Sequence, residues 1–446
     1  MGGLGTGREP RLAGWGGLSS PGREVVGEEL ERVASGRVLT RGLGRSYGDA
    51  SLPPPGTREV AGSRLADRIL AFDPETGRLR AEAGLSLAEV IRIFLPRSFW
   101  PPACPGTRFV TLGGAVASDV HGKSHHRDGA FGRHVTGLRL LLADGRVVEA
   151  SREVHPDLFR ATLGGMGLTG HLLEVEVRLQ KVPSPWIIEV SERLAGLDRM
   201  IEGLRRAAAE WPFTVGWIDG VARGGRLGRG VLIRGRWAES GEAPRRPPRP
   251  PRRLIVPWTL PGWVLSRPAV AAFNALYYRA RPAWPRRRLV HPEPFFFPLD
   301  AVLHWNRIYG RHGFTQYQCV VPEEDRPGAA RRVLEELTRR GGASFLSVLK
   351  DCGPEGEGLL SFPRPGVTLA VDLPVRPGIQ ALVDALNERV LAEGGRVYLT
   401  KDAFTRADHF AAMEPRLERF NQIRRKWDPD RKLRSAQSVR MLGDGA

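Results

Sequence analysis

At 446 residues the chain is too long for one ordinary hydrophobic core, so two domains are expected, and its 41% hydrophobic and 26% charged residues exclude a disordered or fibrous class. Only six of its 67 basic residues are Lys, and the net charge of +18 points either to an anionic partner (nucleic acid, anionic lipid, phosphorylated substrate) or to a coding bias that also enriches Gly, Pro and Ala. Cys104, Cys319 and Cys352 have no zinc-site spacing and suit a reducing compartment; the N-terminus lacks an apolar signal core, and no apolar run reaches the roughly 18 residues of a membrane span. A cytoplasmic protein, at most associated with a membrane surface, is the expectation.

In chain order, a helix is predicted over 24–34 and a strand over 37–40, running into the loop RGLGRSYGD (41–49). A strand-turn-strand follows around 73–77, then an amphipathic helix over 86–94 with Ser86 as N-cap. A second Gly-rich stretch fills 104–124. Asp144-Gly145 signals a hairpin of strands 138–143 and 146–150, and a third glycine cluster, 164–170, precedes a strand at 172–179. Pro183-Ser184-Pro185 reads as a domain boundary. Beyond it come a helix (197–210), strands near 214–219 and 230–236, and PRRPPRPPRR (244–253), which should be extended and solvated. Residues 254–278 read as a surface loop plus one core helix, or as a basic, aromatic contact with lipid. Strands at 315–321, 345–350 and 368–373 alternate with helices at 327–340 and 379–393. The tail carries a strand at 396–400 and a helix at 413–426.

The spacing Gly42-x-Gly44-x-x-x-Gly48, followed by Pro53–Pro55, does not match a Rossmann turn. It reads instead as an anion-binding nest of backbone amides. Thr111-Leu112-Gly113-Gly114 repeats the device, with a helix starting at Gly113 aiming its first amides at a phosphate. Any one cluster is weak, since tight turns explain glycines more often than ligands do. Three before residue 171 favour an elongated nucleotide. His121, His125 and His126 lack a supporting carboxylate, so no metal site is expected. His121 alone can also be read as capping a turn. Lys350 and Lys401 stand out by scarcity, or else pair with Asp351 and Asp402.

RGLGRSYGDA (41–50), PGTRFVTLGGAVASDVHGKSHH (105–126) and GGMGLTG (164–170) resemble the FAD-binding domain of the vanillyl-alcohol-oxidase and p-cresol-methylhydroxylase superfamily. Together with 295–322, 361–375, 394–402 and RRKWDP (424–429), they more closely resemble the flavoprotein oxidases of decaprenylphosphoryl-β-D-ribose 2-epimerisation. The resemblance implies an α+β, two-domain PCMH-type fold: an FAD domain over 1–182, a substrate domain over 183–395 built on an antiparallel sheet flanked by helices, and a segment over 396–446 returning to the FAD domain.

It also implies roles. Arg41, Gly42, Leu43, Gly44, Arg45, Ser46 and Tyr47 would wrap the FAD pyrophosphate, with Gly106, Thr111, Leu112, Gly113 and Gly114 continuing the cradle. Ser118, Asp119, Val120 and His121 would run along the flavin, Gly170 and His171 would meet the adenine end, and Tyr398 would close the site. Many superfamily members tether flavin through a His that is Arg45 here, so non-covalent FAD is expected. Some relatives carry a cysteine where this chain has Ala370. Gln316, Gln318, Lys350 and Lys401 would bind substrate, with Lys401 and His121 as candidate proton acceptors when a secondary alcohol gives hydride to the flavin. The implied substrate is a lipid-linked sugar phosphate, its keto product passing to a separate NAD(P)H-dependent reductase, near the inner membrane face. An alditol or aldonolactone oxidase is the alternative within the superfamily, and a nucleic-acid-binding protein the alternative outside it.

Overall fold

The computed structural model describes residues 9–244, 246–249 and 252–445. Near the N-terminus the β-branched pair Val25-Val26 and the following Gly27 override the helix expected over 24–34. Arg23–Val26 is a strand, parallel to Glu59–Gly62, and the helix is only Leu30–Ala34. Thr40–Arg41 joins the same small sheet and delivers the chain into the glycine loop. The Asp144-Gly145 turn closes Val135–Leu141 on Val147–Ala150. These pair into a five-stranded antiparallel sheet with His171–Arg178, Arg78–Glu82 and Ile69–Asp73. Its apolar face packs on Leu87–Phe94, Leu112–Ala117 and Pro156–Thr162. Ser86 caps the first of these helices by accepting the Glu89 amide, worth about 1 kcal/mol. Burial of Leu87, Val90, Ile91 and Phe94, at roughly 1.5–3 kcal/mol per side chain, outweighs the cap.

An eight-stranded antiparallel sheet forms the second unit. Its order is Arg286–Val290, Ile187–Leu194, Gly230–Trp237, Phe213–Ile218, Ser347–Cys352, Gly366–Pro374, Phe314–Val321 and Arg396–Val397. Side chains alternate between its faces. Leu349, Val367, Leu369, Val371, Leu373, Tyr317, Cys319 and Val321 pack beneath helices Leu197–Glu210, Ala329–Arg339 and Ile379–Ala392. By parity, Lys350, Thr368, Ala370, Asp372, Gln316 and Gln318 share the opposite face.

Beyond 395 the expected elements shift. Only Arg396–Val397 pairs with the large sheet, and 398–402 is a turn, with Lys401 N donating to Tyr398 O at 3.0 Å. Pro415, which has no N–H, delays the helix expected over 413–426 to Leu417–Trp427 and separates it from a preceding helix, Ala407–Met413, that the sequence did not suggest. A helix absent from the sequence reading, Ala436–Leu442, follows, and Phe420, Ile423, Trp427 and Met441 complete the core of the first unit. The helix in 254–278 is Arg267–Arg279, and it is not a core helix: only Val270 and Asn274 are buried. No helix among the described residues is long and apolar enough to cross a membrane.

Candidate active site

The glycine loop emerges from its parallel strand with its donors free. Among the described residues, the amides of Gly42, Leu43, Gly44, Arg45 and Ser46 have no backbone acceptor. Gly44 has φ +62°, and a Cβ there would lie 2.1 Å from Arg41 Nη2, so only glycine fits. Five unclaimed amides in a tight loop suit a diphosphate. The Arg41 side chain does not reach outward. It binds Glu24 (2.7 Å), Ser51 O and Oγ (both 2.9 Å) and Ala13 O (2.6 Å), bracing the loop from below. The Arg45 guanidinium lies over Trp15, 4.2 Å from the ring centroid, and over Phe109 at 5.3 Å. Its buried Nε has no partner.

The second cluster departs from expectation. Helix Leu112–Ala117 does follow an N-cap Thr111, but its first amides are already used. Leu112 N donates to Leu85 O, Gly113 N to Ala83 O (both 2.8 Å), and Gly114 N to Thr111 Oγ1 (3.0 Å). These residues hold the helix against the five-stranded sheet; they offer no phosphate nest. Gly106 has open space around it, and Gly170 packs close to Leu140. The His171 ring is saturated by Thr40 Oγ1 (2.6 Å) and Arg37 O (3.0 Å), which leaves no ring atom for an adenine. Leu43 is exposed, and Val120 is buried with its amide on Ala115 O.

The loop after the helix meets the polar face of the large sheet. The Asp119 carboxylate accepts the Gly132 amide at 2.7 Å and the Ser361 hydroxyl, turning away from the sheet. Tyr398 OH donates to Ser118 O at 2.9 Å, and its ring stacks on Phe362 at 4.8 Å. His121 sits 5.0 and 5.3 Å from these two rings. Its tautomer follows from a relay on the sheet. Thr368 Oγ1 donates to Cys319 O (2.8 Å), so its oxygen accepts from Gln318 Nε2 (3.3 Å). The other N–H of that amide then faces His121 Nε2 at 3.0 Å. His121 therefore accepts at Nε2 and carries its proton on Nδ1, which is buried and unpartnered. Its pKa is pushed well down, first by burial, then by Lys350, His125 and Lys401.

Charge converges here. Lys401 Nζ lies 3.8 Å above the Tyr47 ring, and burial pushes its pKa down, opposed by Asp372 and reinforced by Lys350. Asp372 accepts from Gln316 Nε2 (2.5 Å) and Tyr309 OH (2.8 Å), and burial pushes its carboxyl up. Lys350 is likewise lowered by burial. Neither lysine makes an ion pair among the described residues; Asp402 is bound instead by Arg440 at 2.7 Å. The sequence reading missed Lys123, two residues past His121. Burial and Lys350 push it to about 7, and its ammonium donates to Phe296 O at 3.0 Å. Two of the chain's six lysines, Lys350 and Lys401, thus act on His121, and a third, Lys123, lies in the field of Lys350. The scarcity argument applied to Lys350 and Lys401 would have found it. Asp372 was legible too, by strand parity with Gln316; Tyr309 and Phe362, on irregular segments, were not.

The profile of the family described as FAD binding domain matches residues 31–151. Over 443 residues the chain is 36% identical to the decaprenylphosphoryl-beta-D-ribose oxidase of Mycolicibacterium smegmatis, covering 94% of this chain and 95% of that protein. It is 29% identical to cytokinin dehydrogenase 2 of Oryza sativa over 213 residues, 43% of this chain and 38% of that one. To L-gulonolactone oxidase of Mus musculus it is 30% identical over 125 residues, 28% of each chain. The free loop amides and the orphaned Nδ1 of His121 fit a flavin dinucleotide.

Proposed function

The chain belongs to the FAD-dependent decaprenylphosphoryl-β-D-ribose oxidase family, and we propose that it oxidises the 2-hydroxyl of a polyprenylphosphoryl-β-D-ribose to the ketone. What carries the reading is a group of three lysines: Lys350 and Lys401 act on His121, Lys123 lies in the field of Lys350, and none makes an ion pair among the described residues. The Lys123 and Lys350 ammonium groups, without a carboxylate partner, suit an anionic substrate, here the phosphodiester next to the sugar, and leave Lys401 to handle the proton. FAD, when bound, supplies two-electron oxidation, accepting hydride from the carbinol carbon.

The chain supplies position and proton handling. With its proton on Nδ1, neutral His121 donates a hydrogen bond and has no free lone pair for the substrate proton. Lys401, its pKa lowered by burial, is the proton acceptor for the 2-hydroxyl. Gln316 and Tyr309 hold Asp372 as the charge that moderates Lys401. Gln318 fixes the His121 tautomer, and Tyr398 fixes the loop at Ser118. The nest at 42–46 is assigned to the pyrophosphate and Gly106 to its rim. We assign 1–182 to cofactor binding, 183–395 to substrate, and 396–446 to closing the site. The keto product is a substrate for a separate NAD(P)H-dependent reductase, and the enzyme works at the cytoplasmic face of the inner membrane.

Anaerobic mixing tests this. Farnesylphosphoryl-β-D-ribose should bleach the flavin band of the purified protein, whereas ribitol and L-gulono-1,4-lactone should not. Bleaching by the polyol or lactone without any by the lipid phosphate would overturn the reading in favour of a soluble sugar oxidase.

A further inference from the structure

Residues 244–292 contain eleven arginines and no Asp or Glu. The same stretch carries eight of the fifteen large apolar side chains that are exposed among the described residues. They include Trp258, Trp263 and Trp284, about 70% exposed and each within two residues of a proline. Leu276 and Phe273 follow on the outer side of helix Arg267–Arg279. Water-facing tryptophans are unfavourable on a surface meant to stay in solution. Proline-bounded segments lose little further freedom when they dock.

This surface is fastened to the reaction site. Arg307 Nη1 holds Val256 O (3.0 Å) and Pro257 O (2.7 Å), and Leu260 N donates to Arg307 O (2.9 Å). Leu265 and Val270 are buried with Tyr47, Trp305, Tyr309 and Phe314. Tyr47 is the ring beneath Lys401, and Tyr309 holds Asp372. One aromatic cluster therefore has the lysine site on one side and the Trp-bearing segment on the other.

We infer that residues 254–289 are a membrane-docking face, in which Trp258, Trp263 and Trp284 enter the interface of an anionic bilayer while the surrounding arginines meet its headgroups. Tryptophan belongs at the headgroup level, and each basic residue near an anionic surface strengthens binding about fivefold. A docked enzyme would meet a lipid-anchored substrate at the membrane surface, beside the aromatic cluster that borders its lysine site. The inference rests on the lipid-phosphate reading for its purpose, and its test is independent of that reading.

The test is co-sedimentation of the full-length holoprotein with phosphatidylglycerol vesicles and with phosphatidylcholine vesicles. Wild type should bind the former and lose binding as salt rises. W258S/W263S/W284S should bind at least tenfold more weakly, and R252E/R279E/R286E on the order of a hundredfold more weakly. Both variants should keep the wild-type flavin spectrum and oxidise a short-chain, water-soluble substrate at the wild-type rate. Vesicle binding unchanged in both variants would overturn the inference. So would a wild-type sedimentation coefficient that falls in the tryptophan variant without vesicles, which assigns the face to a second copy of the chain. Vesicle binding with no turnover of any lipid phosphate would sink the substrate reading and leave the docking face standing.

Discussion

Lys401 sits over an aromatic ring, beside a carboxyl that burial drives toward its neutral form, and within the field of Lys350. Burial lowers its pKa, so the amine begins to lose its proton at a lower pH than a solvated lysine. The neutral, proton-accepting form grows as pH rises through that lowered value. We therefore expect kcat/KM to climb with pH through the lysine's titration. K401R, which stays protonated, should flatten the climb and lower turnover on the order of 10²–10⁴-fold. A K401R profile that still rises as wild type does would remove Lys401 from the role. His121 is held far below neutrality, so it contributes no limb near pH 7. Its tautomer has a direct readout. Nitrogen NMR of wild type should report Nδ1–H, and Q318L, which deletes both amide donors, should release the ring into mixed tautomers. An Nε2–H wild type would show that the Thr368–Gln318 relay runs the other way.

At the scale of elements, helix Ala436–Leu442 ties the glycine loop at 41–49 to the turn that carries Lys401. Arg440 binds both oxygens of Asp49 (2.9 and 2.8 Å) and Asp402 Oδ2 (2.7 Å), and Asp402 follows Lys401. Tyr47 N donates to Thr400 O at 3.0 Å, and a Cβ on Gly48 would lie 1.8 Å from Asp402 O. Removing the guanidinium strands two buried carboxylates. R440Q should therefore lose about 3 kcal/mol in urea denaturation, and its FAD affinity should fall with it. Unchanged FAD affinity alongside that loss would confine Arg440 to stability. This clamp was not legible in the sequence, because it joins residues nearly 400 positions apart through a short helix with no strong amphipathic signal. Longer elements were legible: Leu197–Glu210 has helical periodicity, and Phe314–Val321 alternates over its middle, Gln316-Tyr317-Gln318-Cys319, which sets Gln316 and Gln318 on one face. Reading failed where a local device competed with pattern. Gly27 ended a strand that looked helical, Pro415 delayed a helix, and the small residues after Thr111 suggested a phosphate nest. There the tertiary partners Leu85 and Ala83 had already taken the amides.

The two units share more than a site. Ile91, Trp100 and Cys104 from the first pack with Ile187, Phe213 and Trp237 of the large sheet around Phe295, Phe296 and Phe297. At roughly 1.5–3 kcal/mol per buried side chain, this shared core is comparable with the roughly 5–15 kcal/mol that stabilises a whole domain. Neither unit can unfold without exposing it. Calorimetry of protein stripped of FAD should therefore give one transition, and two separated transitions would refute the coupling. F296A should cost about 3–5 kcal/mol and is the variant in which the units begin to melt apart. FAD then acts on the whole molecule. Free FAD at a hundred times its Kd adds about 2.7 kcal/mol to the single transition, so the melting temperature should rise with its concentration. That shift requires a cofactor free to leave. The sequence resemblance puts Arg45, a guanidinium clamped between Trp15 and Phe109, at the position of a tethering histidine, which leads us to propose that FAD is held without a covalent bond. Acid precipitation should accordingly release the yellow colour into the supernatant; colour that stays in the pellet would mean that another residue makes the bond.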